Sequence, residues 1–308
     1  MALPRTVALL PAASEIVCAL GAQDALVGRS HECDYPTSLS ALPICTASRL
    51  PEQGSSRAID TEVKRILQDG LSLYRVDAEQ LRRLAPDVVI TQTQCEVCAV
   101  SLDDVENALA QWVGHRPTLV SLESNRLDEV WRTFIEVGEA LGMIAAGEAL
   151  AARAAERTEA LGQHTQRLSP SLRLACIEWL DPLMSAGNWV PDLISAAGAI
   201  DAFDVTPGEH SPWLADDALR TAMPDVVVAM PCGFSMAQTE GEIETLLARL
   251  RIDAPEIIRN QRVAIVDGNQ YFNRPGPRLV ESVEILTEIL DTNPTPKRHE
   301  DRAWRWVR

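Results

Sequence analysis

No apolar run in the 308-residue chain is long enough to cross a bilayer, because proline, glycine or a charge breaks each one early. Basic residues are few, 28 against 44 acidic ones, for a formal net charge of −16. That excess repels nucleic acid and anionic membrane, so neither is an expected partner. The glycine-rich dinucleotide loop, the phosphate-binding loop and the Gly-x-Ser-x-Gly elbow are all missing, and with them the usual signs of nucleotide or hydrolase chemistry. No catalytic residue is assigned; the Glu32/Asp34 and Glu178/Asp181 carboxylates read as loop acids, and an enzyme is not expected. A clean secretion signal is missing too, since Pro11 and Glu15 interrupt the apolar N-terminus. The expected location is therefore the cytoplasm, or the periplasm if a leader has been removed.

The residues that are present, 46% hydrophobic and 23% charged, suffice for two modest packed lobes. Strand-like runs at Thr6–Leu10, Leu26–Gly28, Leu73–Val76, Val88–Thr91 and Leu119–Ser121 alternate with helical patterns, which implies an α/β fold with mostly parallel sheets. Ser14 reads as the N-cap of a first helix ended by Gly21. From about 127 to 168 the pattern becomes one long helix, bent near Gly138 to Gly147. Alternation resumes at Leu172–Glu178, Val226–Met230 and Val263–Val266, and a helix over Leu279–Leu290 follows. The expected plan is an N-terminal lobe over 1–125, a backbone helix over 126–168 and a C-terminal lobe with its tail over 169–308.

An internal repeat supports two related lobes. Glu79-Gln-Leu-Arg-Arg-Leu-Ala-Pro86-Asp-Val-Val returns as Asp217-Ala-Leu-Arg-Thr-Ala-Met-Pro224-Asp-Val-Val, with acid, Leu-Arg, Pro-Asp and Val-Val at identical offsets. Each copy reads as a short helix, a turn and a buried strand. Ligands of open α/β sheets bind beyond the carboxyl ends of strands. The loops there carry Ser30-His31-Glu32-Cys33-Asp34-Tyr35-Pro36, Cys95 and Cys98, Glu178-Trp179-Leu180-Asp181-Pro182, Trp189, His210 and Trp213, Cys232 and Phe234, and Asp267 through Pro277.

The opening Leu9-Leu10-Pro11-Ala12-Ala13-Ser14-Glu15-Ile16-Val17-Cys18-Ala19-Leu20-Gly21, with Val27 through Pro36, resembles the cobalamin-binding branch of the helical-backbone (class III, vitamin B12/siderophore type) substrate-binding proteins of ABC transporters. Pro86-Asp87-Val88-Val89, Glu178 through Pro182 and Tyr271-Phe272-Asn273-Arg274-Pro275-Gly276-Pro277 continue the likeness over roughly residues 6 to 290. The resemblance implies two Rossmann-like lobes joined by one long backbone helix, little hinge motion and a corrinoid, cobalamin or a precursor, in the interlobe cleft, for uptake or intracellular salvage. It implies as well an acid on each lobe that docks on an ABC permease, here Glu79 and Asp217.

A large flat ligand suits Tyr35, Trp179, Trp189, Trp213, Phe234 and Phe272, which offer apolar faces with polar tips. With them the expected ligand contacts are His31, Glu32, Cys33, Asp34, Cys95, Glu178, His210, Cys232 and Arg274. Trp112 and Trp131 lie in helical patterns and read as core, while His115, His164 and His299 read as solvated. Seven cysteines in a chain without a signal suggest reduced thiols. Cys95 and Cys98 have a spacing that lets two thiolates share a metal, with Cys33, His31 and Cys232 as further candidate ligands. This leaves three alternatives open beside each other: a soft-metal or iron–sulfur site on the same scaffold, axial ligation of the corrinoid cobalt by these groups, and a redox Cys-x-x-Cys. The tail Lys297–Arg308 is either a loose end or an element packed on a lobe.

Overall fold

The computed structural model describes residues 2–50, 54–69, 71–92, 102–109, 116–168, 172–291, 293 and 296–308. The chain forms two compact α/β units. The first comprises Met1–Gly54, Ala58–Ser124 and Asp128–Ala154, the second Ser55–Arg57, Asn125–Leu127 and Ala155–Arg308.

The strands of the first unit are β1 (Thr6–Ala8), β2 (Leu26–Arg29), β3 (Thr46–Ser48), β4 (Tyr74–Val76), β5 (Val88–Gln92) and β6 (Thr118–Leu122). Four of them form a wholly parallel sheet in the order β2-β1-β5-β6, while β3 and β4 pair antiparallel apart from it. The second unit contains β7 (Arg173–Leu180), β8 (Leu183–Ser185), β9 (Ile200–Asp201), β10 (Val226–Ala229), β11 (Val263–Val266) and β12 (Trp304–Trp306). Its sheet runs β12-β11-β10-β7-β8, with β9 parallel to β7 and the two outer strands β8 and β12 antiparallel to their neighbours. The helices in chain order are α1 (Pro11–Ala19), α2 (Ser56–Gln68), α3 (Ala78–Leu84), α4 (Leu102–Leu109), α5 (Leu127–Ala140), α6 (Ile144–Leu168), α7 (Val190–Ala196), α8 (Ala218–Ala222), α9 (Met236–Asp253), α10 (Pro255–Arg259) and α11 (Leu279–Leu290).

Each sheet buries both faces, as parallel sheets must. Val7, Leu9 and Val89 pack on Ile66, Leu81 and Val105 from α2, α3 and α4. In the second unit Ala175, Ile177, Val227, Ala229 and Ile265 pack on Leu219, Ile243, Leu246, Leu250 and Ile257 from α8, α9 and α10. The alternate residues Leu174, Cys176, Val228 and Ala264 point to the opposite face and are buried as well.

The repeat folds the same way in both units. Helix α3 ends at Ala85 (φ 42°) and α8 at Met223 (φ 44°), both left-handed, so the chain reverses into the strand. Asp87 accepts the Arg5 backbone N–H at 2.8 Å and Asp225 the Arg173 backbone N–H at 2.8 Å. The same two arginines donate to the helix ends, Arg5 Nη2 to the Leu84 carbonyl at 2.7 Å and Arg173 Nε to the Ala222 carbonyl at 2.9 Å. The Pro-Asp motif thus ties the start of one strand to the start of its parallel neighbour.

Three local expectations change. The first helix begins at Pro11 rather than after Ser14, because proline already holds the helical φ at the first position; Ser14 lies inside it and donates to the Pro11 carbonyl at 2.8 Å. The segment read as one long helix is two, α5 and α6, parted at Gly142 with φ 70°. Gly138 and Gly147 mark where these helices touch: a Cβ on Gly147 would stand 2.6 Å from the Phe134 carbonyl oxygen. Finally, His299 is 6% exposed rather than solvated. It hydrogen-bonds Glu284 of α11 at 3.0 Å, while Glu288 accepts the Trp304 indole N–H at 2.9 Å, so the tail is sewn to α11 and adds β12 to the sheet.

Candidate functional site

In the first unit the strand-end loop after β2 is organised around Arg29. Its guanidinium is buried and donates to the carbonyls of Ser30, Cys33 and Ser40 at 3.1, 3.2 and 3.3 Å, which winds residues 30–41 about it. His31 follows, half-buried, with its ring 5.8 Å from that of Tyr74. Thr46 of β3 accepts both the His31 backbone N–H at 3.1 Å and Nδ1 at 2.7 Å, and passes its own hydroxyl proton to Ser30 Oγ at 3.1 Å. Burial, and then the Arg29 charge, hold the His31 pKa below its usual value. Cys33 is fully buried with its sulfur 3.9 Å from the Ala8 carbonyl. Glu32 is half-buried; Asp34 and Tyr35 are exposed, and the Tyr35–Pro36 bond is cis. Cys95 and Cys98 lie outside the described residues.

In the second unit the loops after β7, β8, β10 and β11 gather a different set. Glu178, half-buried at the end of β7, accepts the Ser211 hydroxyl at 2.6 Å. Burial raises its pKa, and the hydrogen bonds from Ser211 and the Gly187 backbone pull the other way. Trp179 and Phe234 meet edge to face with ring centres 5.5 Å apart. The Trp179 indole N–H is buried without a hydrogen-bond partner among the described residues. Trp189 donates its indole N–H to the Phe272 carbonyl at 2.9 Å, and Phe272 itself is fully buried. Arg274 and Arg278 are buried and turned inward, onto Asn269 Oδ1 at 3.2 Å and Gln270 Oε1 at 3.0 Å, and Arg278 stacks 4.4 Å from the Tyr271 ring centre. Cys232 is half-buried, and its backbone N–H binds the Glu178 carbonyl. His210 and Trp213 are exposed, on a loop drawn to the sheet by Ser211 and by the Ser185 N–H to Pro212 carbonyl bond at 3.0 Å. Gly187 is obligatory beneath that loop, since a Cβ there would stand 2.5 Å from the Ser211 nitrogen.

The loops thus bring together Glu178, Trp179, Cys232 and Phe234 in one unit and His31, Glu32 and Cys33 in the other. Sequence reasoning passed over Arg29, Thr46 and Ser211, the residues that hold them. Ser211 had a weak signal, in its place between His210 and Trp213; Thr46 lies in a three-residue strand without one. The five described cysteines are free thiols, and burial pushes Cys18 and Cys45 up to about 11. Among the described residues no three His, Cys, Asp or Glu side chains come close enough to hold a metal. Glu79 and Asp217 stand at equivalent places, at the starts of α3 and α8. Both are exposed, in ion pairs with Arg83 and, at 3.8 Å, Arg220. No described helix is long and apolar enough to cross a membrane.

The family model described as periplasmic binding protein matches residues 7–268. Solved structures share the fold. The periplasmic heme-binding protein RhuT from Roseiflexus sp. RS-1 is 23% identical, with TM-score 0.69 over 93% of this chain and 97% of that one. The vitamin B12 binding protein BtuF of Vibrio cholerae is 19% identical, with TM-score 0.63 over 94% and 97%. An ABC transporter substrate-binding protein from Listeria monocytogenes EGD-e is 15% identical, with TM-score 0.70 over 94% and 99%. No curated protein sequence matches the chain significantly. The expected cytoplasmic location is overturned by the family match, which is to periplasmic proteins. The apolar N-terminal stretch forms β1 and α1, so its pattern reports the fold. The chain belongs to the periplasmic binding protein family.

Proposed function

We propose that this periplasmic binding protein captures a corrinoid, cobalamin or one of its precursors, at the strand-end loops and hands it to an ABC importer. The observation that carries the reading is the charge of those loops. Of the arginines on the described loops after β1, β2 and β6 to β11, Arg274 and Arg278 are buried and turned onto neighbouring amides, and Arg126, after β6, is exposed and paired with Asp192 at 3.3 Å. Heme presents two carboxylates and calls for exposed cations. A corrinoid presents a flat macrocycle rimmed with neutral amides, which suits hydroxyls, carboxyls and indole N–H groups between aromatic faces.

Within this reading Trp213 and Tyr35 supply exposed aromatic surface, and Glu32, Asp34, Glu178 and His210 supply amide partners. Trp179, Trp189, Phe234, Phe272 and Arg274 shape the loops from beneath. Glu79 and Asp217 engage arginines of the permease, from matching positions in the repeat. The likeness in fold to both a vitamin B12 binding protein and heme-binding proteins makes the ligand the point to test. Titration of the purified protein with cyanocobalamin, dicyanocobinamide and hemin, followed by calorimetry, is expected to show corrinoid binding and weaker hemin binding. Hemin bound as tightly as either corrinoid, or no corrinoid heat at high micromolar ligand, would sink the assignment.

A further inference from the structure

We infer that His31 Nε2 is an axial ligand for the cobalt of the bound corrinoid, set in that role by Thr46 and Ser30. The inference rests on the corrinoid reading above and adds which part of the ligand the first unit recognises.

An imidazole coordinates a metal only through a ring nitrogen that carries no proton, so the tautomer decides whether His31 can serve. Thr46 Oγ1 receives the His31 backbone N–H and spends its own proton on Ser30 Oγ. Thr46 Oγ1 lies 2.7 Å from Nδ1, and with its proton on Ser30 it is placed to accept a hydrogen there, the tautomer we assign to His31. The lone pair is left on Nε2, which has no hydrogen-bond partner among the described residues. Metal-binding histidines are characteristically held in this manner, with the second ring nitrogen donating to a fixed oxygen that sets tautomer and ring orientation. Cys33, two residues on, is not a competing ligand: its sulfur is sealed in the core against Ala8.

The step is a ligand exchange. In a cobalt(III) corrinoid with an aqua ligand, the Co–O bond to water breaks, the Nε2 lone pair forms a Co–N bond, and water leaves. Nδ1 keeps its proton, and neither cobalt nor protein is oxidised or reduced. Cyanocobalamin, whose upper face is blocked by cyanide and lower face by its own base, has no exchangeable position and binds without this bond.

Aquocobalamin added to the protein is expected to change its visible bands to those of an imidazole adduct, while cyanocobalamin binds with its spectrum unchanged. His31→Ala is expected to abolish the aquocobalamin shift and weaken its binding at least tenfold while leaving cyanocobalamin affinity within about twofold. If both corrinoids bind but aquocobalamin shows no shift, or the shift survives in His31→Ala, the axial role is wrong and the corrinoid reading stands. If neither binds, both fall. Should His31→Ala not fold, His31→Gln serves in its place, and nitrogen NMR of the native apo-protein gives an independent readout: a proton on Nε2 of His31 rather than Nδ1 overturns the inference.

Discussion

The loop after β2 in the first unit hangs on hydrogen bonds, with an arginine gripping three carbonyls and a histidine carried on two hydroxyls. The loops of the second unit rest instead on aromatic residues, Trp179 edge to face with Phe234 and Trp189 donating its indole N–H to the Phe272 carbonyl, beside a carboxyl, Glu178, that accepts from Ser211. Beneath this difference the units share one device, the arginine and aspartate that lock the repeat at Arg5/Asp87 and Arg173/Asp225. A duplicated scaffold therefore keeps its turn and strand chemistry while its strand ends diverge. Scaffold contacts recur because the backbone geometry recurs; strand-end side chains are free of that constraint.

The largest effect expected from this contrast is at Phe272. Phe272→Ala should cost about 3–5 kcal/mol in urea unfolding, as removal of a fully buried ring does, while Trp213→Ala, on a 54% exposed residue, should change stability by no more than about 0.5 kcal/mol. Equal costs at the two positions would break the distinction between supporting and presented aromatics.

Next in size is Glu284, which the His299 hydrogen bond and then Arg157 hold down to about 2 from an ordinary 4.5. A carboxyl with a lowered folded pKa stabilises above its unfolded value and loses that contribution as pH falls toward the folded one. The native protein should thus lose roughly 3 kcal/mol between about pH 5 and pH 2 through this group. Glu284→Gln should be less stable at pH 7 and show a flatter acid limb in denaturant titrations. An unchanged acid limb would mean the tail is not anchored through this carboxyl.

The shared lock predicts near equality between units: Asp87→Ala and Asp225→Ala should each cost about 1–2 kcal/mol, the scale of a backbone N–H bonded to a carboxylate. A difference of several kcal/mol between them would show that the repeat is alike in shape only.

Smallest is Glu178, whose pKa is raised by burial. The sign is opposite to that of Glu284: the folded state favours the neutral acid below the unfolded value near 4.5 and loses that preference as pH rises through the folded pKa. Glu178→Gln should therefore gain a fraction of a kcal/mol at pH 7, an advantage that fades below about pH 4. Thermal melts of the two proteins across this range would reveal a constant offset if the carboxyl were ordinary.

Much of the scaffold was readable before any coordinates. The strands at Val88–Gln92, Val226–Ala229 and Val263–Val266 are short apolar runs buried on both faces, and the Pro-Asp turns announce where they start. The strands β3, β8 and β9, of two or three residues each, have no period to read. The break at Gly142 was legible only as a bend, since glycine tolerated within a helix and glycine ending one look alike in sequence. His299 was misplaced because a short polar tail looks solvated until Glu284 and Glu288 are seen beneath it.

By itself the sequence determined the α/β alternation, the two related units and the places of the strand-end loops, because side-chain period and turn chemistry act between near neighbours. Only the tertiary structure decided which of those loop residues face outward. Phe272 and Trp213 are both strand-end aromatics, yet one is core and the other surface. His31 finds its hydrogen-bond partner in Thr46, fifteen positions along the chain on β3. Burial and hydrogen-bond partners are set by elements that meet only when the chain has folded, and no local pattern encodes them.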